Sequence, residues 1–154
     1  MLFIRGSITI GSLYMDNRIG YIFGSGLITA YSLENNIAIY PRIIIDEPVL
    51  KLVKARLNYY IMKDYDEKYF LDYLSHFSYL FFDRQWDEQY SPFLIREIYA
   101  HREALLQAIK VFTDKKLLPK YKWVARYHNA FCGKNHIEKL EHLWIKKTEF
   151  DWAW

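Results

Sequence analysis

The stretch IRGSITIG, at residues 4–11, decides how the first part of the chain is predicted to fold. Apolar and polar side chains alternate along it and three consecutive residues are β-branched, which is typical of a strand. The alternation predicts a strand from Phe3 to Tyr14. Gly6 and Gly11 lie within this strand, and glycines at such positions indicate a bulge or a close approach by another backbone.

Turn and capping residues predict the elements that follow. Residues 16–18, Asp-Asn-Arg, supply a turn, so that a second strand, Ile19–Phe23, returns beside the first as a hairpin. A helix with a broad buried face then begins, with Ser25 as its N-cap. A short buried strand at Pro41–Asp46 and a helix at Glu47–Leu57 come next. A sheet of two or three strands cannot close its own edges, so another polypeptide segment is expected to pair with it.

The later residues show a different pattern, with one hairpin followed by helices. The predicted hairpin is Ile61–Leu74. Two prolines mark helix starts: Pro92, which follows Ser91 as N-cap, and Pro119. The tail, His136–Trp154, is predicted to continue as helix.

Composition limits the class of protein. The chain has 154 residues, of which 52% are apolar and 25% charged, so it is expected to be globular and to need no disulfide or metal for stability. Its net charge of +3 is too mild to require nucleic acid. A single cysteine, Cys132, excludes an internal disulfide and indicates a reducing compartment. The apolar run that ends at Arg5 is too short for a signal peptide or a membrane span, and we expect a soluble, cytoplasmic protein.

Several short segments occur in an order that resembles class III nucleotidyl (adenylate/guanylate) cyclases. They are IRGSITIG (4–11), FGSGL (23–27), AYSLE (30–34) and YPRI (40–43). More narrowly, the chain resembles the bacterial cyclase-like proteins that include the pyrimidine cyclases of antiphage defence. The segments YFLDYL (69–74) and KYKWVARYHN (120–129) resemble the C-terminal region of that group, so the likeness covers nearly the whole chain.

The resemblance implies that the chain is the C-terminal part of such a protein. It implies an α+β fold, with a partial, ferredoxin-like cyclase sheet and covering helices over residues 1–58. A small hairpin and a mainly helical extension would occupy residues 59–154. An intact relative would be a lyase that converts a nucleoside triphosphate to a 3′,5′-cyclic nucleotide and pyrophosphate. Family members act as dimers, so the expected partner is a second copy or an intact cyclase subunit.

The chain departs from this family at the positions that perform catalysis. The half of the domain that holds two Mg²⁺ or Mn²⁺ ions on two aspartates has no counterpart, so no metal ligand and no catalytic residue is carried over. Ile28 and Ser32 stand where the family helix supplies an Asn and an Arg to the ribose and phosphate. We therefore expect no cofactor in this chain and no cyclase activity from it alone.

Four residues remain as candidate nucleotide contacts. Tyr21 stands where the family places a base-selecting side chain, and Arg5 lies on the neighbouring strand. Gly24 and Ser25, at the start of the predicted helix, complete the set. The glycine spacing in residues 20–26 lacks the Lys-Ser/Thr of a phosphate-binding P-loop, and turn or helix-start glycines explain it better.

Two other clusters of possible metal ligands have simpler interpretations. His128, Cys132 and His136 have helical spacing, but a buried cysteine with hydrogen-bonded histidines explains them better than a zinc site, which normally has four ligands. Asp64 and Asp66 match no EF-hand pattern, and we interpret them as residues of a solvated hairpin turn.

Basic and aromatic residues alternate in the helical part between Arg96 and Tyr127. This combination suits single-stranded nucleic acid, but acidic residues such as Glu97, Glu103 and Asp114 dilute the positive charge. Two functional hypotheses result. The first is a cyclase-like protein that lacks the metal-binding half and is inactive alone. The second is a non-enzymatic interaction module that dimerises and binds a nucleotide or, as the weaker alternative, RNA.

Overall fold

The computed structural model describes residues 3–53, 58–76, 92–111, 114–135 and 140–149. Within these residues the chain has an α+β fold, as predicted, and it divides into two compact units. The first unit ends at Asp72 and the second begins at Tyr73. The division therefore falls after the second hairpin, whereas the boundary taken from the sequence falls before it. The physical reason is that this hairpin pairs with the sheet of the first unit.

The described elements of the first unit are β1 (Gly6–Ile8), β2 (Tyr14–Asp16), β3 (Tyr21–Phe23), α1 (Ser25–Asn36), β4 (Ile43–Ile45), α2 (Glu47–Val53), a 3₁₀ turn (Asn58–Tyr60), β5 (Ile61–Lys63) and β6 (Tyr69–Leu71). Those of the second unit are α3 (Pro92–Val111), α4 (Leu118–Lys134) and a 3₁₀ turn (Glu141–Leu143). Proline begins α3 and lies in the first two positions of α4, where its missing amide costs no hydrogen bond. Among these described helices, none has the length and apolar content that a membrane span requires.

β4 is an inner strand of a four-stranded sheet whose order is β1-β4-β6-β5. It runs parallel to β1, with Ser7 opposite Ile44, and antiparallel to β6, with Ile44 opposite Phe70. Three consecutive isoleucines suit a strand that is covered on both faces, and Ile44, Ile45 and Phe70 are buried. β1 is consequently an edge strand among the strands that the structure describes. β2 and β3 form a separate antiparallel hairpin.

The prediction of one strand from Phe3 to Tyr14 is wrong, because residues 9–13 separate β1 from β2. This connection crosses the first turn of α1 at very short distance. A Cβ atom built on Gly11 would lie 2.5 Å from the Cα of Gly26, so two glycines are needed where the backbones meet. The close approach predicted for Gly11 is confirmed.

The predictions for the start and the buried face of α1 are also wrong. Gly24 occupies the N-cap position, and no side chain caps the helix. The Gly26 amide donates to the Ser12 carbonyl (3.0 Å), while the Ser25 hydroxyl accepts from the Ser12 amide (3.2 Å). Backbone groups of the crossing connection thus replace the side-chain cap. No residue of α1 is buried.

The core of the second unit lies between α3 and α4. Buried apolar residues recur at helical spacing on both, including Leu94, Ile98 and Leu105 on α3 and Val124 and Phe131 on α4. Each of these five side chains is almost completely removed from water, so this unit has the apolar core that a stable domain requires.

The described part of the tail is not the helix that was predicted for His136–Trp154. Its described part, residues 140–149, contains one 3₁₀ turn and otherwise irregular structure. Asn129 of α4 makes two hydrogen bonds to the backbone of Ile145, both 3.0 Å, and Arg102 of α3 donates to the Trp144 carbonyl (3.1 Å). Side-chain bonds from the helices therefore satisfy backbone groups that a helix would have paired internally. Residues 136–139 and 150–154 lie outside the described residues.

Gly24→Ala should destabilise the first unit strongly. Gly24 has a φ of 152°, and an added Cβ would lie 2.2 Å from the Ser12 carbonyl oxygen. Strained backbone of this kind costs about 1–3 kcal/mol before the steric clash is added. We expect a loss of at least ~2 kcal/mol in the free energy of unfolding, measured by urea denaturation. Gly6→Ala is the matched control, since a Cβ there meets nothing within 4 Å, and equal losses for the two variants would contradict the account.

Candidate protein-interaction surface

The first unit exposes many large apolar side chains. Of the twenty that are exposed in the described residues, fourteen lie between Ile4 and Ile39. We call these fourteen side chains the N-terminal apolar surface. They come from β1, the β2–β3 hairpin, α1 and the connections between them. Soluble monomers rarely expose a large contiguous apolar patch, and such patches typically mark a binding site for another protein or a membrane.

The exposure is greatest on the hairpin and α1. Every residue of β3 is exposed, and Tyr21 retains 65% of its accessible surface. On α1, Ile28 and Tyr31 retain 71% and 67%. A helix normally turns its apolar residues towards a core, so an apolar helix without a buried residue indicates that a covering layer comes from elsewhere.

The N-terminal apolar surface is electrically neutral. Residues 3–39 contain four charged side chains, Arg5, Asp16, Arg18 and Glu34, and their charges sum to zero. Arg5 pairs with Glu34 (2.9 Å), and Arg18 lies 3.6 Å from the Asp16 carboxylate. The net charge of +3 therefore originates in the rest of the chain. A neutral apolar surface favours a protein partner over a polyanion such as nucleic acid.

The outer edge of β1 adds backbone groups to this surface. Gly6 donates its amide to the Arg42 carbonyl (3.2 Å), and the Ile8 carbonyl accepts from Asp46 (2.9 Å), so both residues face β4. Successive residues of a strand point their backbone groups to opposite sides, so the amide and carbonyl of Ser7 face away from β4. Among the described residues no strand pairs with that side.

Side-chain bonds hold β1 firmly in this position. The Ser7 hydroxyl donates to the Ala30 carbonyl of α1 (2.7 Å), and the Thr9 hydroxyl donates to the Asp46 carboxylate (2.6 Å). The first bond fixes α1 over the edge strand, and the second fixes the end of β1 to the residue that follows β4. The exposed edge is thus a rigid feature of the unit.

The predicted nucleotide contacts are distributed over this region. Gly24 and Ser25 lie together at the start of α1, beside the backbone of Ser12. Tyr21 begins β3, where it is exposed and opposite Asp16. Arg5 precedes β1, and its described ion pair is with Glu34. The structure therefore brings Gly24 and Ser25 together, whereas the described polar contact of Arg5 joins it to α1.

Ile28 and Ser32, which the sequence resemblance aligns with an Asn and an Arg of cyclases, also lie on α1. Ile28 is the most exposed large apolar side chain of the described residues. The Ser32 hydroxyl accepts a hydrogen bond from the Asn36 amide nitrogen (3.3 Å). Neither side chain provides a positive charge or an amide to a phosphate.

A buried arginine was missed by the sequence analysis. Arg42, with no exposed surface, places its guanidinium against the carboxylates of Asp64 and Asp66 in the β5–β6 turn and lies over the Tyr40 ring (5.3 Å). The hydrogen bond from Arg42 lowers the pKa of Asp66. The interpretation of Asp64 and Asp66 as solvated turn residues is therefore wrong. The signal that could have identified the contact is an arginine within an otherwise buried strand region, which requires a carboxylate partner.

Arg42→Met should destabilise the first unit because it leaves two carboxylates without their shared partner. We expect a loss of about 2–4 kcal/mol in the free energy of unfolding at pH 7, measured by urea denaturation. The deficit should shrink as the pH falls below about 3.8, the ordinary pKa of aspartate, because Arg42 stabilises the ionised form of Asp66 and this advantage is lost as that carboxyl is protonated. Arg18→Met, at a side chain that is 92% exposed, should change stability by less than ~0.5 kcal/mol. A deficit that is constant with pH would contradict this role.

A chain of buried polar groups crosses the core of the second unit. Nε2 of His128 lies 2.7 Å from the Leu143 carbonyl oxygen, which can only accept, so this nitrogen donates. Nδ1 of neutral His128 then accepts from Nδ1 of His101, 3.0 Å away. Nε2 of His101 is left to accept from the Tyr73 hydroxyl at 3.3 Å. All donors therefore point in one direction, from Tyr73 towards Leu143.

The histidines of this chain are held in their neutral form. Burial lowers the pKa of His101 to about 3, and the neighbouring His128 adds to the effect. Burial also lowers the pKa of His128 to about 4, with a contribution from the positive charge of Arg102. The imidazole rings stack with centroids 5.1 Å apart and an interplanar angle of 5°. Neutral stacked rings explain why two histidines can lie inside an apolar core.

Acid should destabilise the second unit through this pair. The folded pKa values lie below the unfolded value of 6.5, so the unfolded state binds more protons between pH 6.5 and about 4. The stabilisation is complete above pH 6.5 and is lost as the pH falls. We expect the free energy of unfolding, measured by urea denaturation, to fall by about 4 kcal/mol between pH 7 and pH 5. In the His101→Phe variant it should fall by about half as much. His142→Gln, at an exposed histidine, is the control and should lose as much stability with falling pH as the wild type. A free energy of unfolding that does not change with pH would contradict the claim that the two buried histidines are neutral.

The structure places Cys132 beside this chain without completing a metal site. Its sulfur lies 3.7 Å from Nε2 of His128, and burial raises the thiol pKa to about 12. His136 lies outside the described residues, and His142 is exposed on the 3₁₀ turn. Within the described ranges, no three His, Cys, Asp or Glu side chains are grouped so that they could hold a metal ion.

Two of the three aromatic residues that alternate with basic residues on α4, Tyr121, Trp123 and Tyr127, lie in the core. Trp123 and Tyr127 are buried and stack on each other with ring centroids 5.4 Å apart. The Tyr127 hydroxyl accepts a hydrogen bond from the Leu74 amide (2.9 Å). These rings are occupied within the unit, so they present no stacking surface to nucleic-acid bases.

Comparison of the chain with protein-family models, with curated proteins and with solved structures finds no match. The geometry described above is therefore the basis for a functional assignment.

Proposed function

We propose that this chain is a non-catalytic interaction module that binds another polypeptide through the N-terminal apolar surface. The observation that supports the proposal is the concentration of fourteen exposed large apolar side chains between Ile4 and Ile39. The second unit exposes few such residues in its described part and has a core between its own helices. The apolar exposure is thus a local property of the region around β1–β3 and α1.

The fourteen side chains have the composition, and in sum the exposed area, that a protein interface requires. Fourteen large side chains, each at least 39% exposed, together present on the order of 1,000 Å². A standard stable interface takes about 800 Å² from each partner. Tyrosine, phenylalanine and methionine are among the fourteen, and these residue types are enriched where proteins bind each other.

A second candidate is an incomplete cyclase-like domain that another polypeptide completes. The observation that favours it is the position of β1 at the sheet edge, with α1 packed on it and apolar residues exposed beside it. A half-domain with the metal-binding aspartates would pair at this edge, and the completed lyase, related to those of antiviral defence, would use Mg²⁺ or Mn²⁺. Arg5, Tyr21, Gly24 and Ser25 would then be the nucleotide contacts of this chain. We place the protein in the cytoplasm, where the single buried thiol of Cys132 stays reduced.

The purified chain should form no cyclic nucleotide from any of the common nucleoside triphosphates with Mn²⁺, because its described residues hold no metal cluster and Ile28 and Ser32 lack the required groups. Product is measured by chromatography, with an active class III cyclase as the positive control. Turnover by the purified chain would contradict a non-catalytic module.

Ile28→Glu should weaken the proposed binding, because it places a charge in the N-terminal apolar surface. Leu52→Glu is the matched control, since Leu52 is equally exposed (70%) on α2 outside that surface. Light scattering measures self-association, and fluorescence of the apolar dye ANS measures uncovered apolar surface. The wild type should either associate or bind the dye, and Ile28→Glu should reduce that signal at least five-fold while Leu52→Glu leaves it unchanged. A wild-type monomer that binds no dye would overturn the proposal.

A further inference from the structure

We infer that the polypeptide bound by the N-terminal apolar surface is a second copy of this chain, joined by antiparallel pairing of the two β1 strands about Ser7. The inference rests on the proposed function, because it names the partner of the same surface. It starts from the outer edge of β1, a strand of three residues. Its residues contain no proline and no lysine, and the adjacent Arg5 is neutralised by Glu34.

The backbone geometry fixes which residues can pair. Ser7 is the central residue of β1, and its amide and carbonyl are directed to the outer side. Two copies related by a two-fold axis at Ser7 would exchange both hydrogen bonds between these groups. The joined sheet would then run through eight strands, β5-β6-β4-β1 of one copy followed by β1-β4-β6-β5 of the other.

The side chains on the two strands are complementary in this register. Gly6 of each copy would lie opposite Ile8 of the other. A Cβ on Gly6 meets nothing within 4 Å, so there is space above this glycine for the isoleucine. Ile4, Ile8 and Ile10 are all exposed in the single chain. Cross-strand apolar pairs of this kind stabilise antiparallel sheets.

The charge distribution also permits self-association. The whole chain has a net charge of +3, which would make two copies repel, but the charges of residues 3–39 cancel. Each α1 packs on its own β1, so pairing would bring the two α1 helices next to each other on one side of the sheet. The exposed apolar residues of α1, Leu27, Ile28 and Tyr31, would then add to the area buried between the two copies.

Disulfide trapping tests the register. In the proposed pairing the Cα atoms of Gly6 and Ile8 from different copies lie about 4.5 Å apart, within the range of a disulfide. Identical residues, Gly6 with Gly6 or Ile8 with Ile8, lie two positions out of register and too far apart for the bond. Oxidation of a mixture of G6C and I8C proteins should give at least five times more disulfide dimer than either protein alone. The native Cys132 can remain, because it is buried. Circular dichroism confirms that each variant is folded.

Controls separate failure of this inference from failure of the proposed function. Leu52→Cys, at an exposed position on α2, measures dimer formed by random collision. A dimer by light scattering with no excess of mixed disulfide would overturn the β1 pairing while leaving the interaction module intact. A dye-binding monomer would overturn self-association and leave a different partner for the same surface. A monomer that forms a complex with a separately produced N-terminal cyclase half would also overturn self-association. It would support the second candidate, the incomplete cyclase-like domain. A monomer without dye binding would overturn both.

Discussion

β1 and β4 run parallel to each other, and the first unit is arranged around this pairing. Parallel neighbours cannot be joined by a tight turn, so the chain must leave the sheet after β1 and return for β4. It does so through the β2–β3 hairpin and α1. The backbone contact of Gly11 with Gly26 allows this connection to cross closely over the start of α1, and the Ser7 bond to Ala30 fastens the helix to the strand. β4 becomes an inner strand, and β1 is left at the edge.

The edge position of β1 explains why so much apolar surface remains uncovered. A helix that packs on an edge strand has a sheet on one side of it and no neighbouring strand on the other. α1 therefore contacts β1 while Ile28 and Tyr31 stay in water. Burial of such side chains is worth about 1.5–3 kcal/mol each, which is a strong driving force for association.

Local signals predicted much of the fold. Sequence alone predicted the strand at the three isoleucines of β4, the hairpin of β5 and β6, and the helix starts at the prolines of α3 and α4. Each of these depends on residues that are close together in sequence. Contacts between side chains that are far apart in sequence could not be predicted in this way. Arg42 meets Asp66 across 24 positions, and His101 meets His128 across 27. Ser25 has the residue type of an N-cap, but it lies inside the helix after Gly24, and its hydroxyl accepts from the distant Ser12 amide.

The candidate surface was only partly predictable, for a related reason. The pattern of α1 correctly indicated a helix, but its predicted buried face is not buried in the described residues, because a pattern cannot tell whether a covering layer is in the same chain. The sequence did predict that the sheet would need something to pair with its edge. The identity of the edge strand, and the outward direction of the Ser7 backbone groups, depend on the order β1-β4-β6-β5.

Hydrogen exchange of the Ser7 amide, followed by NMR over a range of protein concentrations, tests the central claim most directly. The Gly6 amide, bonded to the Arg42 carbonyl within the chain, provides an internal reference. If two copies pair through β1, exchange at Ser7 should slow at least ten-fold as the protein passes from dilute to concentrated solution, while Gly6 remains protected throughout. A Ser7 amide that exchanges at the same fast rate at every concentration would contradict pairing at this edge.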